Sequence, residues 1–393
     1  MITNIFFIYW LIVFASLFTM FLLLIINLLT FPRLHKPPHT STLPYISILV
    51  PARNEEQHIE ACVRSLLSQT YPRLEILVLN DNSTDNTAAI VQRIINALPA
   101  TKTEQLRLLE GQPLPQGWVG KNFACQQLAQ QAQGDYLLFT DADTLHEPTM
   151  AASVIACMQH FDVKLLTAQP EFVLGTFSER LIIPLLNFTI MTLLPVALVR
   201  LRPEASLATG NGQLLCFHRS AYEAIGGHAS VKEKILEDVL LARAVKAAGY
   251  RMIFVDALKL LHCCMYTSFT EVWQGFSKNL FAFYNYSLPF ALLALLLNLA
   301  LFVAPPPLAL IALLFHLSST LFIAGIAAYA LAVCMRVILT LRFTPTKRSR
   351  VSLLLLCLLH PLSILLECAI LLHSILLHYR RKGVEWKGRH YHL

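Results

Sequence analysis

The apolar residues of this chain are divided so unevenly that one solvent cannot suit all of it. Apolar residues crowd into residues 5–29 and the stretch beyond residue 285, of which 5–29 and 286–335 carry no charge, whereas residues 45–280 have the polarity of an ordinary soluble α/β domain. Charged residues make up 14% of the 393 positions, below the roughly 25% of soluble domains, and the apolar excess lies in the two ends. The chain therefore combines a water-facing core of one sizeable domain with segments suited to a bilayer.

Ile5 to Leu29 carries no charge and exceeds the about 20 residues a helix needs to cross a hydrocarbon layer. No Lys or Arg precedes it and Phe31-Pro32-Arg33 offers no small-residue cleavage site, so it reads as an uncleaved anchor. Basic residues flank the apolar segments: Arg33 and Lys36 after the first, and Arg336, Arg342, Lys347, Arg348 and Arg350 near the later ones. By the positive-inside rule the central domain is expected in the cytosol, on a multi-pass protein of the cell's inner (plasma) membrane.

Leu288 to Leu341 is too long for one span, and Pro305-Pro306-Pro307 is expected to break it into two helices joined by a short turn. Val351 to Tyr379 gives a further helix, interrupted at His360-Pro361 and carrying Glu367. A full crossing there puts Arg380-Arg381-Lys382 outside, and a re-entrant helix keeps them inside; both readings stand. Leu181 to Val199, interrupted by Pro184 and Pro195, is a core helix or, by preference, an interfacial element. The expected organisation is an anchor at 1–32, a catalytic domain at 45–285, membrane helices at 286–379 and a basic tail at 380–393. The net charge of +7 forms no stripe in the polar domain, so nucleic acid is not an expected partner. Nine Cys without a CxxC pair point to reduced thiols rather than to a zinc site or disulfide framework.

Within the polar domain, Tyr45–Val50 and Leu74–Leu79 read as buried strands, each followed by a helix, at Glu55–Leu67 and about 87–97. That alternation implies a parallel sheet, whose ligands bind beyond the carboxyl ends of the strands. Polar clusters sit at those ends: Arg53–Glu56, Asn80–Asp85 and, after Tyr136–Thr140, the pair Asp141 and Asp143. Two carboxylates one residue apart at a strand end suit a divalent cation that also bridges phosphates, Mg2+ or Mn2+.

In this order the motifs resemble family 2 glycosyltransferases: PARNE at 51–55, NDNSTDNT at 80–87, GWVGKNFA at 117–124, TDAD at 140–143, TGNGQLLCFHR at 209–219 and LEDVLLARAVKAAGY at 236–250. GWVGK and the closing WKGRHY at 386–391 are similar to membrane glycosyltransferases of carotenoid and hopanoid pathways. The resemblance implies an α/β GT-A fold, a Rossmann-like, mostly parallel sheet, joined here to transmembrane helices. It implies that Pro51, Ala52, Arg53 and Glu55 line the base pocket of a nucleotide-sugar donor, with Asp81 on the nucleobase. Lys121 then approaches base or diphosphate, Asp141 ribose or metal, and Asp143 the metal. Gly210, Asn211 and Gly212 form a backbone loop near sugar and acceptor. Asp238 is the implied general base and Glu237 its alternative; a helix start also favours acids for its own reasons. Uracil is the implied base.

Two departures from the family pattern matter. Asn80 stands where the family has an Asp, and 273–279 (WQGFSKN) lacks the QxxRW of processive members, which favours transfer of single sugars. The expected reaction is inverting, metal-dependent transfer to a membrane lipid such as a carotenoid or other isoprenoid. Rival readings are a polyprenyl-phosphate sugar transferase and a catalytically inactive nucleotide-binding scaffold. The aromatic residues Trp273, Phe276, Phe281, Phe283, Tyr284 and Tyr286 anchor to the interface or touch the acceptor. His262, lacking acidic partners nearby in sequence, is expected to pack in the core.

Overall fold

The computed structural model describes residues 2–35, 43–344, 347–380, 384–386 and 388–391. Lys36, Arg381, Lys382 and Lys387, which enter the charge and tail readings above, lie outside the described residues, as do the side chains of Lys347 and Arg348. The chain forms two compact units, one made of residues 31–173 and 196–265, the other of 1–30, 174–195 and 266–393. The span expected as one domain, 45–285, is thus divided: residues 174–195 and those from 266 onward belong to the second, helical unit.

In the first unit the strands are, in chain order, β1 (Ile46–Ala52), β2 (Leu74–Asn80), β3 (Leu106–Glu110), β4 (Tyr136–Phe139), β5 (Thr144–His146), β6 (Leu165–Gln169), β7 (Glu171–Phe172), β8 (Leu215–His218), β9 (Met252–Asp256) and β10 (Leu261–Cys263). Seven of them form one sheet in the order β3-β2-β1-β4-β8-β6-β9, and β5-β10-β7 form a small second one. Every residue of β2, and every residue of β1 except Pro51, is buried, as a parallel sheet covered on both faces requires. The helix after β1, Ile59–Leu67, buries Ile59, Cys62, Val63 and Leu66 against it, a stripe at helical spacing.

Register decides where the polar loops emerge. Ala52 pairs with Asn80, Asn80 with Glu110, and Leu49 with Phe139, all in parallel, so the chain leaves β1, β2, β3 and β4 along one rim. The one antiparallel member, β8, pairs Leu215 with Phe139 and with Thr167. Because it runs backwards, its beginning lies at that same rim, and the 209–214 loop arrives beside the 141–143 turn.

Among the described residues, the helical unit contains three helices long and apolar enough to cross a membrane: Phe6–Thr30, Ser319–Phe343 and His360–Tyr379. A fourth apolar pair, Phe269–Phe283 and Leu288–Val303, is bent by 116°. Large apolar side chains such as Phe7, Phe18, Phe290 and Ile323 are exposed on these helices, more surface than water tolerates on a monomer. Pro305–Pro307 do not make the expected turn. They begin the helix Pro305–Leu314, where a missing N–H costs nothing, after a wider π turn at Leu299–Val303. The reversal falls at residues 315–318, and Gly325 then lets Ser319–Phe343 lie against Pro305–Leu314, since a Cβ there would stand 2.7 Å from that of Ala309. The expected helix at 351–379 is interrupted as anticipated, into Lys347–Cys357 and His360–Tyr379. The apolar stretch at 181–199 becomes Phe177–Ile182, Pro184–Leu193 and Val196–Leu201, and Asn27 of the first helix donates to the carbonyls of Met191 and Leu194 at 2.9 and 2.7 Å.

Candidate active site

The loops after β1 and β2 are stitched to each other. Arg53 Nη1 donates to the carbonyls of Asp81 (2.7 Å) and Asn82 (2.9 Å), and the Asp81 N–H donates to the Ala52 carbonyl at 2.8 Å. Glu55 N–H donates to Thr87 Oγ1 and Glu56 N–H to Asp85 Oδ2, so Asp85 closes the turn. Asn54 and Asn82 take positive φ angles, 52° and 53°, which asparagine accepts more readily than most residues. Asp81 is buried, and Ala52 offers the rim only its backbone, its side chain lying in the core. Asn80 donates its amide to Glu110 Oε2 at 2.7 Å. An aspartate there would set two carboxylates face to face, which accounts for the departure seen in the sequence.

A second cluster gathers around Lys121, in the first turn of the helix Gly120–Gln131. Its Nζ lies 2.7 Å from Asp141 Oδ1 and 3.2 Å from Glu237 Oε1. Burial pulls the ammonium down, and the two carboxylates outweigh it and hold it well above the usual lysine value. Glu237 and Asp238 open the helix Glu237–Ala247, whose N-terminal end favours negative charge. The half-buried Asp238 accepts from Gly212 N–H (Oδ2, 3.0 Å) and from Val239 N–H (Oδ1, 2.8 Å). Burial first, and then the neighbouring Glu237 carboxylate, push its acid up to about 6. A Cβ on Gly210 would overlap the backbone carbonyl of Asp238, and one on Gly212 would stand 2.9 Å from Lys121 Nζ. Both glycines are close-approach positions. Asn211 is the fixed member of that loop: its N–H donates to Thr167 Oγ1 at 2.9 Å, and its Oδ1 accepts from Gln213 N–H at 3.1 Å.

The 141–143 turn is held from behind. Thr144 Oγ1 donates to the Asp141 carbonyl at 2.6 Å, Cys264 N–H donates to the Asp143 carbonyl at 3.1 Å, and Cys263 Sγ is 3.9 Å from Asp143 Oδ1. Among the described residues no group of three His, Cys, Asp or Glu side chains forms a closed metal cage. Two half-buried aspartates at an open rim nevertheless match the donor set used by Mg2+ or Mn2+ when phosphates and water complete the shell.

Thr140, His146, Gln213 and Glu110 were not singled out in the sequence: Glu110 and Gln213 meet partners 30 and 73 residues away, and the local contacts of His146 with Thr140 and Thr144 follow no motif. One expectation is corrected: His262 does have acidic partners, Glu171 Oε2 at 2.9 Å and Glu147 Oε1 at 3.6 Å. They come to it across the small sheet, and the Glu171 hydrogen bond raises its imidazole above the usual value.

Residues 47–181 match the family model described as Glycosyl transferase family 2. The 4,4'-diaponeurosporenoate glycosyltransferase of Staphylococcus aureus (strain bovine RF122 / ET3-1) is 27% identical over 244 residues, 60% of this chain and 60% of that protein. Its counterpart from strain N315 is 27% identical over 265 residues, 64% of this chain and 66% of the other. The match therefore spans under two thirds of those relatives' length. Among solved structures, the mannosyltransferase PcManGT from Pyrobaculum calidifontis, in complex with GDP-Man and Mn2+, aligns with a TM-score of 0.55 at 20% identity, over 94% of this chain and 97% of that one. At that identity the two share a fold.

Proposed function

We propose, on the match of residues 47–181 to the glycosyl transferase family 2 model, that this chain transfers a sugar from a nucleoside-diphosphate sugar to an isoprenoid lipid in the membrane, with inversion. The observation that carries the reading is one linked group at the carboxyl rim: Lys121 between Asp141 and Glu237, and Asp238 held by two backbone N–H groups beside them.

In this reading Pro51, Ala52, Arg53 and Glu55 line the base side of the donor pocket, and Asp81 contacts the base, uracil by family resemblance. Lys121, a cation tethered at the rim, approaches the diphosphate. Asp143, with Asp141, holds Mg2+ or Mn2+, which when bound offsets the charge developing on the leaving diphosphate. The Gly210–Gly212 loop runs beside the sugar. The acceptor oxygen forms a bond to the anomeric carbon while the bond from that carbon to the diphosphate breaks on the opposite face. The acceptor's proton passes to Asp238. Glu237 is the weaker choice of base because its carboxylate is engaged by Lys121. An acid near 6 is a base poised close to neutral pH, which favours an acceptor that must lose a proton, a hydroxyl, over the polyprenyl phosphate of the second reading. The relatives' printed name contains that of a carotenoid carboxylate, an acceptor already ionised near neutral pH that needs no base; Asp238 takes the proton where the acceptor is a hydroxyl.

The apolar helices support a multi-pass protein of the plasma membrane, and the flanking basic residues support a cytosolic catalytic domain. The test is lipid extraction from cells with and without the gene. A glycosylated isoprenoid present only with the gene supports the assignment; identical lipid profiles contradict it.

A further inference from the structure

Resting on the proposed transfer, a further role follows from counting protons behind the 141–143 turn. Thr140 Oγ1 lies 2.8 Å from the Gln213 carbonyl, and Thr144 Oγ1 lies 2.6 Å from the Asp141 carbonyl. A carbonyl only accepts, so each hydroxyl has committed its single proton. The two threonine oxygens, 3.0 Å apart, then have only lone pairs to offer each other. His146 Nε2 faces both, at 2.9 Å from Thr144 and 3.2 Å from Thr140. Two acceptors on one ring nitrogen require that nitrogen to carry the proton. His146 is buried, and among the described residues its Nδ1 has no hydrogen-bond partner. A second proton there would bury both a charge and an unpaired donor, so the ring is the neutral Nε2–H tautomer.

We propose that His146 is a positioning residue: its single N–H fixes the two threonines that join the Asp141–Asp143 turn to the loop holding Asp238. Thr144 grips the turn through the Asp141 carbonyl. Thr140 grips the loop through Gln213, Gln213 N–H donates to Asn211 Oδ1, and the intervening Gly212 N–H donates to Asp238 Oδ2. Without the imidazole proton the two threonine oxygens face each other with lone pairs only, and the distance between cation turn and base loop is no longer set. His146 is itself fixed: it lies on β5, and its backbone N–H donates to Ser65 Oγ at 3.1 Å.

The test uses the full chain in detergent or nanodiscs. His146→Leu removes the donor at similar volume, His146→Gln restores an N–H donor, and Thr144→Val removes one acceptor. The expected result is a kcat for H146L lowered by about a hundredfold, the loss that about 1 Å of misplacement produces. Its acid limb in kcat/KM should shift as Asp238 loses its fixed partner, and H146Q should come back to within about tenfold of wild type. A folded H146L with wild-type kcat and an unmoved acid limb overturns the proposal. Nitrogen NMR of histidine-labelled wild type decides independently of folding in the variants: a protonated Nε2 and bare Nδ1 on His146 support it, and the opposite tautomer overturns it. If wild type transfers no sugar at all, the functional reading fails, while the NMR result still decides the tautomer.

Discussion

At the scale of single residues, the adjacent acids Glu237 and Asp238 are set apart by the partners their carboxylates meet. Glu237 is engaged by an ammonium, Asp238 by two backbone N–H groups. Asp238→Asn is expected to lower kcat by about 10²–10⁴-fold while donor affinity stays within about twofold, checked by transfer kinetics and by titration with a sugar nucleotide. The sign of the pH dependence follows from its raised acid. With Asp238 as the base, activity is expected to be full above about 6 and to fall as pH drops through that value, which a kcat/KM profile against pH checks. Glu237→Gln removes the like charge that helps raise it, so the acid limb of kcat/KM should move to lower pH; a limb that stays in place would take Glu237 out of the electrostatics. The motifs that brought these residues to notice were local in sequence. Which acid faces which partner was not legible, because Lys121 reaches Glu237 across 115 residues of intervening chain, and spacing carries no trace of that.

At the scale of elements, the parallel core was readable from the alternation of apolar runs and amphipathic helix, and Leu74–Asn80 and Ile59–Leu67 form close to where that pattern puts them. The antiparallel β8 was not. Leu215–His218 is four residues long, and nothing in LCFH distinguishes a reversed strand from a parallel one. Yet its direction is what delivers Gly210–Gln213 to the rim. Gly210→Ala should therefore harm catalysis rather than merely loosen a turn: the added methyl meets the Asp238 backbone, which cannot step aside as a side chain would. A lowered kcat with a lowered melting temperature is the expected outcome. The prolines at 305–307 teach the converse lesson. They were read as a break because a proline inside a helix removes a donor, but at a helix start that donor is not needed. In the helical unit, Asn27→Leu should cost about 1 kcal/mol of stability in denaturant titrations, since it removes two donations to main-chain carbonyls in an apolar setting.

At the scale of the whole molecule, the division between apolar ends and polar middle was plain in the composition, but its boundaries were not: residues 174–195 join the helical unit through contacts such as the one from Asn27. The sheet unit buries two neutral histidines, His146 and His228, each held down to about 3, chiefly by burial. A depressed histidine takes up its proton on unfolding first, so stability is retained above about pH 6.5 and lost as pH falls toward 3. The slope is about 1.4 kcal/mol per pH unit for each ring. Melting of the full chain followed through Trp118 should record that decline, and H228F should remove its share; a flat profile from pH 6.5 to 4 would contradict it.

The central claim is that the rim holding Asp143, Lys121 and Asp238 is where a sugar leaves its nucleotide for a lipid oxygen. Purified full-length protein, given labelled sugar nucleotides, a divalent cation and an isoprenoid lipid extract, tests it most directly. Label is expected in the lipid phase with wild type, and at a rate lower by about 10²-fold or more with Asp238→Asn although that variant still binds donor. Equal transfer by the two proteins would contradict it.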